Sequence, residues 1–280
     1  MSIDQQSLVK KFITENHSLI EGWFFPADWQ AFILLYNIQV QLGSTGDICE
    51  IGVYQGKSAA LLSLLRQTGE KLLCFDFFEE KLNGGEDIVR KNLANFGDAE
   101  HVDMIKGDTA KLSKSKLKSL IETPLRFLHI DAGHEYYEVL EQLRQFAPFL
   151  NETAIVAMDD TEDREFPGVS EAVFEFCRDR NVRDLVPFYV GANKKYLCMR
   201  HVASTFQKEL LQAPQLMDNC RITRLKGHNL LIGHSKMPLP NTTVLKQIND
   251  SDFPFYDDLT LSTEERTAKY SQLKYSGKLK

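Results

Sequence analysis

The sequence predicts an α/β protein: a mostly parallel sheet of seven strands, the last antiparallel, between an N-terminal helical segment and a C-terminal extension. Three observations carry that prediction. Short apolar runs rich in β-branched and aromatic residues alternate with longer stretches of helical periodicity between residues 47 and 200. A glycine turn follows the first run and opens the first helix of the alternation. The last two runs are joined by Gly191-Ala192-Asn193, a link short enough for a hairpin, which reverses the final strand.

The elements divide the chain into 1–45, 46–202 and 203–280. In the first part Trp23, Phe24, Phe25 and Trp29 cluster around Pro26 and Asp28. Asp28 is placed to cap the helix that follows, and the aromatics are expected mostly in the core, with a lid or an oligomer contact as the other reading. Strands are expected at 47–52, 71–76, 102–108, 125–131, 153–160, 184–190 and 194–200, with helices at 57–67, 87–96, 114–122, 135–150 and 168–180 between them. The extension shows a helix near 205–213, apolar patches at 229–233 and 243–248, and a polar helix with a basic end at 269–280.

Composition narrows the function. The 280 residues carry 33 basic and 39 acidic side chains, a net charge of -6, with no basic stripe to neutralise a phosphate backbone. Nucleic acid is therefore not expected as a partner. No signal peptide or membrane-spanning apolar run is present, so a cytoplasmic location is expected. Of the five cysteines, Cys49, Cys74 and Cys198 fall inside strands without metal-ligand spacing, which suits buried thiols.

The segment Glu50-Ile51-Gly52-Val53-Tyr54-Gln55-Gly56-Lys57-Ser58 joins a strand to a helix N-terminus, where backbone N–H groups converge on a ligand. A turn whose glycines serve only its geometry is the alternative. A phosphate-binding P-loop needs four residues between its glycines, and here there are three. A dinucleotide turn needs glycine where Tyr54 stands. Glu50 also disfavours a polyphosphate.

The pattern E-I-G-x-x-x-G-K-S resembles the first motif of class I S-adenosylmethionine-dependent methyltransferases, which have a Rossmann-like fold. That resemblance implies that Gly52 and Gly56 approach the cofactor, that Glu50 and Ser58 hold its amino acid end, and that Tyr54 flanks it. Asp76 ends the second strand, where a carboxylate suits ribose hydroxyls, and Phe77 follows it. Asp108 and Thr109 end the third strand, where the family contacts adenine; an ordinary turn is the other reading.

A second constellation follows. Strands deliver Asp131, and then Asp159 and Asp160, to the sheet's carboxyl edge about 5 Å apart, and His134 stands where a helix begins. Converging carboxylates call for a cation, and oxygen-only ligands suit Mg²⁺ or Mn²⁺; helix capping is the alternative. His134 has the pKa range of a general base, with capping as its alternative. Residues 47–160 look like the metal-dependent sugar O-methyltransferases of macrolide and aminocoumarin biosynthesis (methyltransferase 24-like), with their IDGxHxYxxVxxDL motif and DD pair. The resemblance implies Asp131, Asp159 and Asp160 as Mg²⁺ ligands, Asp131 also beside the cofactor and catalytic, and His134 as base. Ala132, Gln142 and Thr161 depart from the pattern. The expected function is therefore Mg²⁺-assisted O-methylation of a small-molecule hydroxyl in natural-product biosynthesis, by a homo-oligomer. A metal-independent N-methyltransferase, a P-loop nucleotide hydrolase and a non-catalytic binding protein are the alternatives.

Overall fold

The structure is a computed structural model, and it describes residues 1–179, 182–214, 216, 219–225 and 228–249. The basic end expected at 269–280 lies outside the described residues. Strands β1 (Asp47–Ile51), β2 (Leu72–Asp76), β3 (Val102–Lys106), β4 (Leu125–Ile130) and β5 (Leu150–Met158) run parallel. Strand β7 (Lys195–Met199) lies antiparallel between β5 and β6 (Leu185–Val190), as the short hairpin link requires.

Among the described residues the sheet has nine strands, ordered β3-β2-β1-β4-β5-β7-β6-β9-β8, where seven were expected. The added pair is β8 (Arg221–Leu225) and β9 (His228–Ile232), from the C-terminal extension. Strand β9 joins parallel to β6 through Tyr189–Leu231 and Val190–Ile232. The pair escapes sequence reading because only Ile222, Leu230 and Leu231 in it are buried, and β8 places Arg221 and Arg224 in the last strand of the described sheet. The extension is therefore part of the sheet.

Helices cover both faces. Helices α1 (Ile3–Lys11), α2 (Pro26–Gln41), α3 (Lys57–Leu64), the four-residue α4 (Glu80–Asn83) and α5 (Gly85–Phe96) precede α6 (Lys114–Leu120), α7 (Tyr136–Phe146), α8 (Pro167–Phe176), α9 (Ala203–Leu210) and α10 (Asn241–Asn249). One core holds Val9, Phe32, Ala59, Val89, Phe206 and Val244 against one face of the sheet. The other packs Leu117, Val139, Leu143 and Val173 against the opposite face. Alternation within β1 sends Ile48 to the first core and Cys49 and Ile51 to the second.

Helix α2 begins at Pro26, where a missing N–H costs nothing, and Asp28 Oδ2 accepts the Phe25 N–H at 3.0 Å. The surrounding aromatics divide: Phe24 is buried, while Trp23 and Phe25 are 72% and 53% exposed. Cys49, Cys74, Cys198 and Cys220 are buried thiols in no disulfide. No described helix is long and apolar enough to cross a membrane.

Candidate active site

Parallel pairing brings the strand ends into line. The Asp131 N–H donates to Ile51 O at 2.8 Å, the Asp159 N–H to Ile130 O at 3.0 Å, and the Gly52 N–H to Phe75 O at 2.9 Å. Gly52 has φ 84°, and a Cβ there would lie 2.0 Å from the Asp131 carbonyl oxygen. Only glycine lets the turn lie against the end of β4, so turn and acidic cluster are one locus. Gly56, at φ 83°, caps α3, and Tyr54 also holds a left-handed φ of 50°.

Asp76 shapes this turn. Its Oδ2 accepts the N–H groups of Val53 at 2.7 Å and Tyr54 at 3.1 Å, and its Oδ1 accepts that of Phe78 at 2.8 Å. Phe77, beside it, is exposed. Glu50 points inward instead: it is fully buried, and its Oε1 lies 2.7 Å from His129 Nδ1. Burial pushes the Glu50 carboxyl up to about 8 and the His129 imidazole down to about 3. Burial thus disfavours the charged form of each partner. Ser58 is buried beside Glu50, and Thr109 is buried with the Gln142 amide 3.4 Å from its hydroxyl. Asp108 accepts the Ala110 N–H and pairs with Lys111 at 2.9 Å. Gly52, Tyr54, Gly56 and Asp76 thus share the turn, Glu50 and Ser58 support it from within, and Thr109 faces α7 instead.

The acidic residues converge as the sequence suggests, with the first and last joined in a cleft lined by Asp131, His134, Asp159 and Asp160. His134 Nε2 lies 2.9 Å from Asp160 Oδ2, and its ring stacks on Phe166 at 4.1 Å. Asp160 takes a left-handed φ of 53°, a strained conformation held by its partners. Its hydrogen bond with Asp160 raises the His134 pKa above the usual imidazole value, and the same bond holds Asp160 low. Burial, then the charge of Asp159, pushes Asp131 well above the usual carboxylate range.

Sequence reading missed the cation at the centre. Lys194 is buried, and its ammonium pairs with Asp159 Oδ2. Burial opposes its charge, but Asp131, Asp159 and Asp28 outweigh that and raise its pKa. The Asn193 amide donates to Asp160 Oδ1 at 2.7 Å and Asp159 Oδ1 at 3.3 Å. The signal was present in the topology: antiparallel β7 pairs Lys195 with Met158, so the residue before it faces Asp159. A buried lysine at a sheet's carboxyl edge is a site residue by default.

The expected Mg²⁺ or Mn²⁺ does not fit this donor set. Ligand atoms of Asp131, His134 and Asp160, and of His129, Asp131 and Asp159, do lie within 4.8 Å of one another. The oxygens of Asp159 and Asp160 are engaged, however. Asp159 Oδ1 accepts the Asp160 N–H and Asn193, its Oδ2 takes the Lys194 ammonium, and Asp160 bonds Asn193 and His134. A divalent ion would sit against that ammonium, and a double and a single positive charge at about 4 Å repel by about 8 kcal/mol at an effective dielectric of 20.

Comparison with known proteins agrees with the fold. A family model described as a methyltransferase domain matches residues 49–161. No curated protein sequence matches the chain. Among solved structures, the O-methyltransferase NovP is 15% identical, covers 70% of this chain and 98% of its own, and superposes with a TM-score of 0.56. CalS11, a TDP-rhamnose 3'-O-methyltransferase of calicheamicin biosynthesis, is 18% identical over 71% of this chain and 95% of its own, with a TM-score of 0.47. An O-methyltransferase from Bacillus cereus is 16% identical over 68% of this chain and 89% of its own, at 0.46. The glycine turn lies inside the matched segment, so residues 49–161 match a methyltransferase domain, and the chain shares its fold with an O-methyltransferase.

Proposed function

We propose that this enzyme methylates a hydroxyl oxygen of a small molecule, a sugar, polyol or phenol. The observation that supports this reading is the His134–Asp160 pair, set in the same cleft as Asp131, whose backbone abuts the Gly52 turn. S-adenosylmethionine supplies a methyl group activated by its sulfonium. Gly52 and Gly56 admit the main chain close to that cofactor. Asp76 already accepts three backbone N–H groups, so one of its roughly four acceptor positions is left for a ribose hydroxyl.

His134 performs the proton transfer in this reading. With Nε2–H donated to Asp160, Nδ1 takes the acceptor's proton as the new O–C bond forms and the S–C bond breaks. Asp160 orients the imidazole and stabilises its charged form. Residues 21–25 wall the turn: Trp23 lies 5.4 Å from the Tyr54 ring, the Tyr54 hydroxyl donates to Glu21 at 3.3 Å, and Lys57 donates to Gly22 O at 3.0 Å. That segment serves as the lid in this reading.

Thermal shift and label transfer test the proposal. S-adenosylhomocysteine should raise the melting temperature, and label from methyl-labelled S-adenosylmethionine should pass to hydroxyl-bearing sugars or phenols. Stabilisation by ATP but not by S-adenosylhomocysteine would sink it, and label transferred only to amines would move the acceptor to nitrogen.

A further inference from the structure

The carboxyl edge of β4 and β5 gathers Asp131, Asp159 and Asp160, and the start of β7 delivers one lysine among them. The Lys194 side chain is only 1% exposed, with its ammonium on Asp159 Oδ2. Asp28, on α2, adds a fourth carboxylate to the surroundings: it is buried, its Oδ1 has no hydrogen-bond partner, and its charge acts on Lys194. A long side chain is not buried in this way without compensation, since an ammonium withdrawn from water loses several kcal/mol of hydration. The Asp159 carboxylate provides the compensation, and in turn needs a cation beside it.

We propose that Lys194 is the resident cation of this cluster: its ammonium stands among the carboxylates that the sequence alone would assign to a divalent ion, and the protein has no metal site there. The lysine is a positioning residue. It is too buried to reach an acceptor, so it acts through Asp159, which accepts the Asp160 N–H and so helps fix the residue that orients His134. A fixed internal cation gives the cluster its geometry without dependence on metal supply.

This role for Lys194 presupposes the methyltransferase reading, but the two fail separately, since one is tested with S-adenosylhomocysteine and the other with Mn²⁺ alone. Mn²⁺ accepts the same ligands as Mg²⁺ and its free ion is visible by electron paramagnetic resonance. Titrated into the full chain, Mn²⁺ should keep its free-ion signal, and the melting temperature should be the same in Mn²⁺, Mg²⁺ and EDTA. Lys194→Ala removes the ammonium and should bind Mn²⁺ at least about tenfold more tightly than the wild type, with a metal-dependent rise in melting temperature. One Mn²⁺ bound per wild-type chain and lost in Asp159→Asn would overturn the proposal, as would a folded Lys194→Ala protein with no gain in Mn²⁺ affinity. If Lys194→Ala does not fold, the wild-type titration decides alone.

Discussion

His134 carries a prediction with a definite sign. Its hydrogen bond with Asp160 raises its pKa above the ordinary 6.5, so the imidazole stays protonated to higher pH than a free one. A base must be unprotonated to act, so the rate should rise through a pH above 6.5 and then level. His134→Ala should lose that limb, and an unchanged pH–rate profile would remove its role as base. Glu50 makes a matching prediction for stability. Its carboxyl moves from the ordinary 4.5 to about 8 on burial, so folding takes up a proton and Glu50 favours the fold least at high pH. Burial of His129 in its neutral form opposes this slope up to 6.5, so stability should fall as pH rises from about 6.5 to about 8, and Glu50→Gln should flatten the fall in urea melts across that window. Gly52→Ala should cost about 3 kcal/mol, the upper end for overpacking, because its Cβ would meet backbone that cannot move aside.

Strand β4 is fastened at both ends, and its amino end is the place to measure the strength of the scaffold. There the buried Arg126 donates to both Glu70 oxygens at 2.7 to 3.0 Å, to Gln39 Oε1 at 3.0 Å and to Leu65 O at 2.8 Å. These bonds tie α2 and the segment after α3 to the sheet. Arg126→Met leaves Glu70 buried and unpaired and should cost about 3 to 5 kcal/mol in chemical denaturation, with much of it recovered in a double variant that also carries Glu70→Leu. A loss below about 1 kcal/mol would show that water or another group replaces the guanidinium. Elements of this kind were legible in the sequence as far as period and punctuation reach. Strands such as 71–76 and 125–131 and the helices between them are long apolar patterns, and they stand within a few residues of their expected bounds. Strands β8 and β9 were not, because a short edge pair with few buried residues has almost no period to read. Asp131, Asp159 and Asp160 were legible as a cluster because they stand at the ends of apolar strands, and His134 because it stands just before a helix. Lys194 was hidden because its meaning depends on which strand β7 lies beside, and pairing order is not local information.

At the level of the molecule, the nine-stranded sheet turns the C-terminal extension into a structural neighbour of the catalytic domain. Gln207 donates to Phe188 O at 2.8 Å and to Asn229 O at 2.7 Å, so α9 bridges β6 and β9. Leu231 is completely buried in the same core as Phe32 and Ala59. A continuous core of this kind should unfold as one unit, whereas an appended domain would melt independently. Leu231→Ala should destabilise the protein by about 2 to 5 kcal/mol, as expected for a buried leucine. Because the unit is shared, S-adenosylhomocysteine at about 100 times its Kd should offset about 2.7 kcal/mol of that loss, some 5 to 10 °C in a domain of this size. The measurement is a melt followed by circular dichroism and by S-adenosylhomocysteine binding on the same samples. Both signals should show a single transition that Leu231→Ala lowers equally and the ligand raises equally. Two transitions, with the ligand moving one and Leu231→Ala the other, would mean that the extension and the methyltransferase domain fold independently.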